Sequence, residues 1–148
     1  MSANSRLTSA VHALCWIELA RRQGRASLTS AEIADSLASN PVLVRRVLAP
    51  LRERGLLEVR GHGPGAGWRL TRAADSVTLA DVSQALGDQS PHALHPHEPK
   101  QTCPVGYGIR PVLAGVYAEA DAAARAALAA RTIADVLDLT LTDHPLPT

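Results

Sequence analysis

The chain has 148 residues, enough for one domain or a small domain with an extension. Its hydrophobic share of 46% includes no Phe, two Trp and two Tyr, so its core must come from Ala, Leu and Val, which suits helix packing better than a β-sandwich. The net charge of +1 hides a split: residues 1–72 carry 11 Arg against 5 acids, and residues 73–148 carry 4 basic residues against 9 acids.

A basic front and an acidic back suit a protein that presents one half to a polyanion. No run of 18 apolar residues and no charged-then-apolar leader is visible, which argues against a membrane span and a secretory signal. Cys15 and Cys103 lie too far apart in sequence to read as a disulfide framework. The expectation is a cytoplasmic protein with no membrane contact.

Residues 6–22 read as a first helix, with Leu7, Ala10, Val11, Leu14 and Ile17 on one apolar face. Gln23-Gly24-Arg25 ends it. Thr29-Ser30-Ala31-Glu32 is a capping box that opens a short second helix, with Ile33 and Leu37 toward the core. Ser39-Asn40-Pro41 is a stop followed by a start, because proline fits the first helical position. A third helix runs from Pro41 to about Arg54. Val44, Val47, Leu48 and Leu51 share its inner face, while Leu43, Arg45, Arg46 and Ala49 lie largely elsewhere. Pro50 predicts a kink, and Gly55 a stop.

Leu57–Arg60 and Trp68–Leu70 alternate like short strands. Four glycines between Gly61 and Gly67 exclude helix and permit a hairpin loop. This is a wing. Thr78-Leu79-Ala80-Asp81 opens a fourth helix with the capping wording that returns at Thr132-Ile133-Ala134-Asp135. Between Gly87 and Thr102 lies an irregular stretch with His92, His95 and His97, long for a loop in a compact domain. The long helix that follows, from about Pro104 to Ala130, carries a stripe of Ile109, Leu113, Val116, Ala120, Ala123 and Ala127. Small residues permit close approach, and a lone apolar stripe needs a partner.

The order helix, turn, basic helix, wing has a separate task for each part on a DNA duplex. Adjacent Arg45 and Arg46 project about 100° apart, so one can reach a base edge and the other a phosphate. Ser39, Asn40 and Thr8, placed at the start of the first helix, add neutral donors, Leu43 adds an apolar contact, and the amides near Asn40 can take a phosphate. Arg60 and Arg69 on the wing suit the sugar-phosphate backbone or a minor groove. The competing reading is a winged-helix protein-interaction module without DNA binding. No Cys–His pair has an oxyanion hole or third orienting group at recognisable spacing, so an enzyme is not expected.

Leu7–Leu14, Asn40–Arg46, Gly63–Leu70, Thr78–Val82 and Cys103–Gly106, in this order, resemble the Rrf-type bacterial repressors, the group containing IscR, NsrR and CymR. The resemblance implies a homodimer whose long helix crosses between subunits and whose two winged helices meet a pseudo-palindromic operator on double-stranded DNA. The fold class is then mainly α: a winged helix-turn-helix with a small β-hairpin wing and a long C-terminal dimerisation helix. Residues 1–87 form the DNA-binding domain, 88–103 a candidate sensor loop, and 104–148 the dimerisation and C-terminal helices.

Cluster-binding members of this group carry three cysteines around that loop. Here only Cys103 stands there, so the usual iron–sulfur set is not present. Two remnants keep metal or redox sensing open. His12 occupies the region where some members place an extra ligand, and His92, His95 and His97 lie near Cys103 in sequence. Cys103 precedes a helix start, a position that favours thiolate. The plainer alternatives are a packed cysteine, a solvated histidine loop and a packed His12.

Overall fold

The computed structural model describes residues 3–148, with side chains described from Ser5 onward. In chain order the elements are α1 (Ala3–Arg22), β1 (Leu28–Thr29), α2 (Ser30–Ser36), α3 (Pro41–Glu53), β2 (Leu57–Arg60), β3 (Gly67–Leu70), α4 (Leu79–Leu86), α5 (Pro104–Ala129) and α6 (Ile133–Asp143). The predicted helices and wing are all present. The first helix begins earlier than expected, so Thr8 lies within α1 and not at its start.

The core gathers on α1. Ala10, Ala13, Leu14, Ile17 and Ala20 are buried, and α1 touches α3, α4, α6 and β3. From α3, Val44, Val47, Leu48 and Leu51 are buried, the four predicted for its inner face. Each buried leucine contributes roughly 1.5–3 kcal/mol of transfer free energy. The helix continues through Pro50 to Glu53. Proline leaves the Arg46 carbonyl without its usual donor but does not end the helix.

The wing is wider than the sequence pattern indicated. Its sheet has the antiparallel order β1-β3-β2, with Leu28 opposite Trp68 and Val59 opposite Trp68 on the other side. Two residues are too few for periodicity to reveal β1. Thr29 ends that strand and also caps α2, accepting from the Glu32 amide while Glu32 accepts from the Thr29 amide. Buried Trp68 donates from Nε1 to Ser30 Oγ at 2.9 Å, which fastens the wing to the start of α2. Gly67 is required here because a Cβ would collide with Ser27.

The two later capping boxes meet. Thr78 and Thr132 form an antiparallel bridge, with the Leu79 amide donating to Arg131 O and the Ile133 amide to Val77 O, both at 2.9 Å. This brings α6 back onto α1, where Ile133 and Leu137 are buried. Glu18, 3% exposed on α1, accepts two bonds from Arg21 and one from Arg22, and Arg22 reaches Asp138 of α6 at 2.6 Å. Cys15 donates to Ile133 O at 3.8 Å, and burial pushes its thiol up to about 11.

In contrast, α5 has no buried residue along its 26 positions, and Ile109, Val112 and Val116 are exposed. Among the described residues, no helix is long and apolar enough to cross a membrane.

Two carboxylates tie stability to acid. The Arg21 hydrogen bond, opposed by burial and aided by Arg22, holds Glu18 below its ordinary value. The Arg25 hydrogen bond, with the Thr29 amide, lowers Glu32 from 4.5 to about 2. Both values are depressed in the folded chain. Their stabilisation is therefore complete above the unfolded value near 4.5 and is lost as pH falls through each depressed value, which for Glu32 lies at about 2. Melting temperature measured across that range should fall with acid, and Arg25→Ala should flatten part of the fall. An unchanged slope in Arg25→Ala would contradict the assignment to Glu32.

Candidate nucleic-acid interface

Burial of one side of α3 leaves the other side in solvent. Arg45 and Arg46 are both exposed there and, among the described residues, neither forms an ion pair. Val42, 56% exposed, stands on the same open first turn. It was not among the predicted contacts, although its place off the 44, 47, 48, 51 stripe could have found it. Arg52 and Arg54 extend the exposed basic character past the end of α3 and were also missed. Leu43 is only half exposed, so part of it serves packing.

The start of α3 is more occupied than expected. Asn40 caps the helix by accepting from the Leu43 amide at 3.0 Å, and its carbonyl accepts from Val44 at 3.2 Å. Pro41 has no N–H. Of the amides inside the first turn, with Leu43 capped and Pro41 lacking one, the Val42 N–H is left as a candidate phosphate donor. Ser39 and Asn40 are both exposed beside it.

The turn between α2 and α3 sets the angle of this surface. Ser39 donates to Ala34 O at 2.9 Å and Ala38 to Asp35 O at 3.1 Å, the paired bonds of a helix-closing turn. That closure needs a left-handed residue, and Ala38 supplies it with φ 50°. No glycine marks the spot, so nothing local announces the turn.

On the wing, Glu58 sits opposite Arg69 in the β2–β3 register. It pairs closely with the Arg69 guanidinium and lies 3.6 Å from Arg60 Nε. These contacts, Arg69 foremost, hold Glu58 below the ordinary carboxylate value. The two wing arginines thus share one counter-charge, and Arg60 is the freer, 62% exposed against 37%. Pairing the two predicted strands antiparallel would have revealed this. On α1, Thr8 is exposed one turn before His12. His12 Nε2 lies 2.8 Å from Ser36 Oγ, so its ring bridges α1 to the end of α2.

The loop side chains go to separate partners. His92 Nδ1 contacts Asp121 at 3.1 Å and its ring stacks on Tyr117 with centroids 5.2 Å apart. His95 Nδ1 lies 3.1 Å from the His97 carbonyl, within their own turn. Cys103 is half-buried at the start of α5 and makes no side-chain capping bond. The described residues contain no group of three or more His, Cys, Asp or Glu placed to hold a metal ion. On α5, Ile109, Val116, Ala120, Ala123 and Ala127 of the predicted stripe are exposed, and Leu113 is half-buried.

A family model described as an iron-dependent transcriptional regulator, Rrf2, matches residues 3–139. The chain belongs to the Rrf2 family of transcriptional regulators. YwnA of Bacillus subtilis (strain 168), whose name is that of an HTH-type transcriptional regulator, is 34% identical over 137 residues, 91% of this chain and 96% of YwnA. A crystal structure of a protein described as DNA-binding is 31% identical with a TM-score of 0.70, covering 90% of this chain and 99% of the other. The structure of T. potens IscR shares the fold at 18% identity, with a TM-score of 0.68 over 97% of this chain and 91% of its own. The iron in the Rrf2 description does not fit the donors present here. A tetrahedral site needs three or four converging ligands. This Rrf2 chain offers one loop thiol and histidines that point to different partners.

Ala38 gives a test of the turn that aims α3. An L-residue in the left-handed region costs about 1–2 kcal/mol, part of which glycine recovers. Ala38→Gly should raise unfolding free energy by up to about 1 kcal/mol in denaturant titration. A clear loss of stability would contradict the left-handed turn.

Proposed function

We propose that this protein is a sequence-specific, homodimeric repressor that binds a pseudo-palindromic operator with α3 in the major groove. The observation that carries this reading is the pair Arg45 and Arg46, exposed and without ion-pair partners among the described residues, opposite a fully buried stripe. A guanidinium without a carboxylate partner exchanges only water for a guanine edge or a phosphate. Val42 and the exposed part of Leu43 offer apolar surface to a thymine methyl. Ser39, Asn40 and Thr8 supply neutral polar groups beside it. Arg60 takes the sugar-phosphate backbone, and Arg69 does so at the expense of its contact with Glu58.

Dimerisation is supported by α5. A 26-residue helix with no buried position and exposed Ile109, Val112 and Val116 carries an apolar face that its own chain does not cover. Ala120, Ala123 and Ala127 allow a second helix to approach closely. A two-fold dimer sets two α3 helices one DNA turn, or a multiple, apart. Relatives described as HTH-type and DNA-binding proteins support the same reading. Cys103 gives the 88–103 loop one oxidisable group through which a redox signal would act.

With an operator selected from a random duplex pool, Arg45→Ala or Arg46→Ala should each cost about 1–3 kcal/mol if its guanidinium reads a base edge. Arg60→Ala should weaken binding evenly across sequences and reduce the salt dependence by about one phosphate contact. Wild-type affinity in all three variants would overturn the DNA assignment.

A further inference from the structure

The loop between α4 and α5 is attached to α5 at both ends. At its start, Ser90 Oγ accepts from the His92 amide at 3.0 Å, and His92 stacks on Tyr117 while its Nδ1 meets Asp121. Ser90 also hydrogen-bonds Asp121, and that bond, followed by the one from His92, holds the carboxylate below its ordinary value. At its end, the Lys100 carbonyl accepts from the Cys103 amide at 3.2 Å and lies directly over Gly106, where a Cβ would collide with it. Arg110 Nη1 donates to the His97 carbonyl at 3.3 Å between these two points.

We propose that these side-chain clasps hold the 88–103 loop on α5 in place of a metal, so that the loop's position is independent of iron or zinc. The family description names iron, and the donors that remain in this loop do not converge as three or more ligands among the described residues. His92 spends a ring nitrogen on Asp121, His95 spends one on its own turn, and Cys103 is the loop's single thiol. The contacts that fix the loop are direct and span both ends. This inference concerns the loop alone and stands whether or not the chain binds DNA.

Lys100 is the single lysine of the chain and is exposed in this loop. A lysine-specific protease therefore cuts at one place, and its rate reports how often the loop leaves α5. The experiment uses the full chain purified anaerobically, with metal and sulfide content measured first. We expect no stoichiometric metal, and cleavage that changes less than about twofold with EDTA, Fe(II) or Zn(II). His92→Ala and Asp121→Ala should each speed cleavage about tenfold, and the double variant by less than the product of the two, since they share one contact. Gly106→Val should loosen the other end independently. Circular dichroism checks that each variant is folded, and Asp121→Asn provides a milder substitution if Asp121→Ala is not. Stoichiometric metal whose removal speeds cleavage about tenfold would overturn the proposal. So would wild-type cleavage in folded His92→Ala, Asp121→Asn and Gly106→Val.

Discussion

The burial of Val44, Val47, Leu48 and Leu51 fixes the rotation of α3 about its own axis. Once those four are seated against α1, α4 and β2, the remaining face has no freedom to turn inward. Arg45 and Arg46 are placed in solvent by their neighbours' hydrophobicity and not by any contact of their own. The candidate DNA-binding surface is thus a by-product of core packing, and its precision is that of the core. Side chains in a close-packed interior hold their positions to a fraction of an ångström, which a solvated loop cannot match.

Other contacts serve this placement. Trp68 fastens the wing through Ser30 at the start of α2, so the wing and the helix-turn-helix share one anchor. The Thr78–Thr132 bridge and the Arg22–Asp138 pair return α6 to α1 after the long excursion of α5. The C-terminal end of α5 is thereby held to the N-terminal core, while Ile109, Val112 and Val116 along the helix stay exposed. Under the proposed function, that division would let one helix connect the DNA-facing half to a second copy without loosening either.

Much of this was legible in the sequence because the signals were local. The stripe on α3, the capping boxes at Thr29, Thr78 and Thr132, and the glycine-rich hairpin depend on residues within four or five positions of each other. What escaped depends on distant or conformational facts. Strand β1 is two residues long and exists because Leu28 packs beside Trp68. Ala38 adopts a backbone conformation that usually announces itself as glycine. The charge of the wing is smaller than its arginines indicated, because Glu58 lies across the register from Arg69. His92 looked like one of a histidine trio, yet its partners, Tyr117 and Asp121, lie on the next helix. A histidine-rich loop shows its donors in sequence but not where they point.

The central claim is that the open face of α3 meets DNA while α5 joins two copies. Amide chemical-shift mapping of the labelled protein with and without an operator duplex addresses it most directly. The account predicts the largest changes at Val42–Arg46, with a second group across Arg60–Arg69, and little change along the α5 stripe. Changes confined to α5 and α6, with α3 unmoved at saturating duplex, would contradict it.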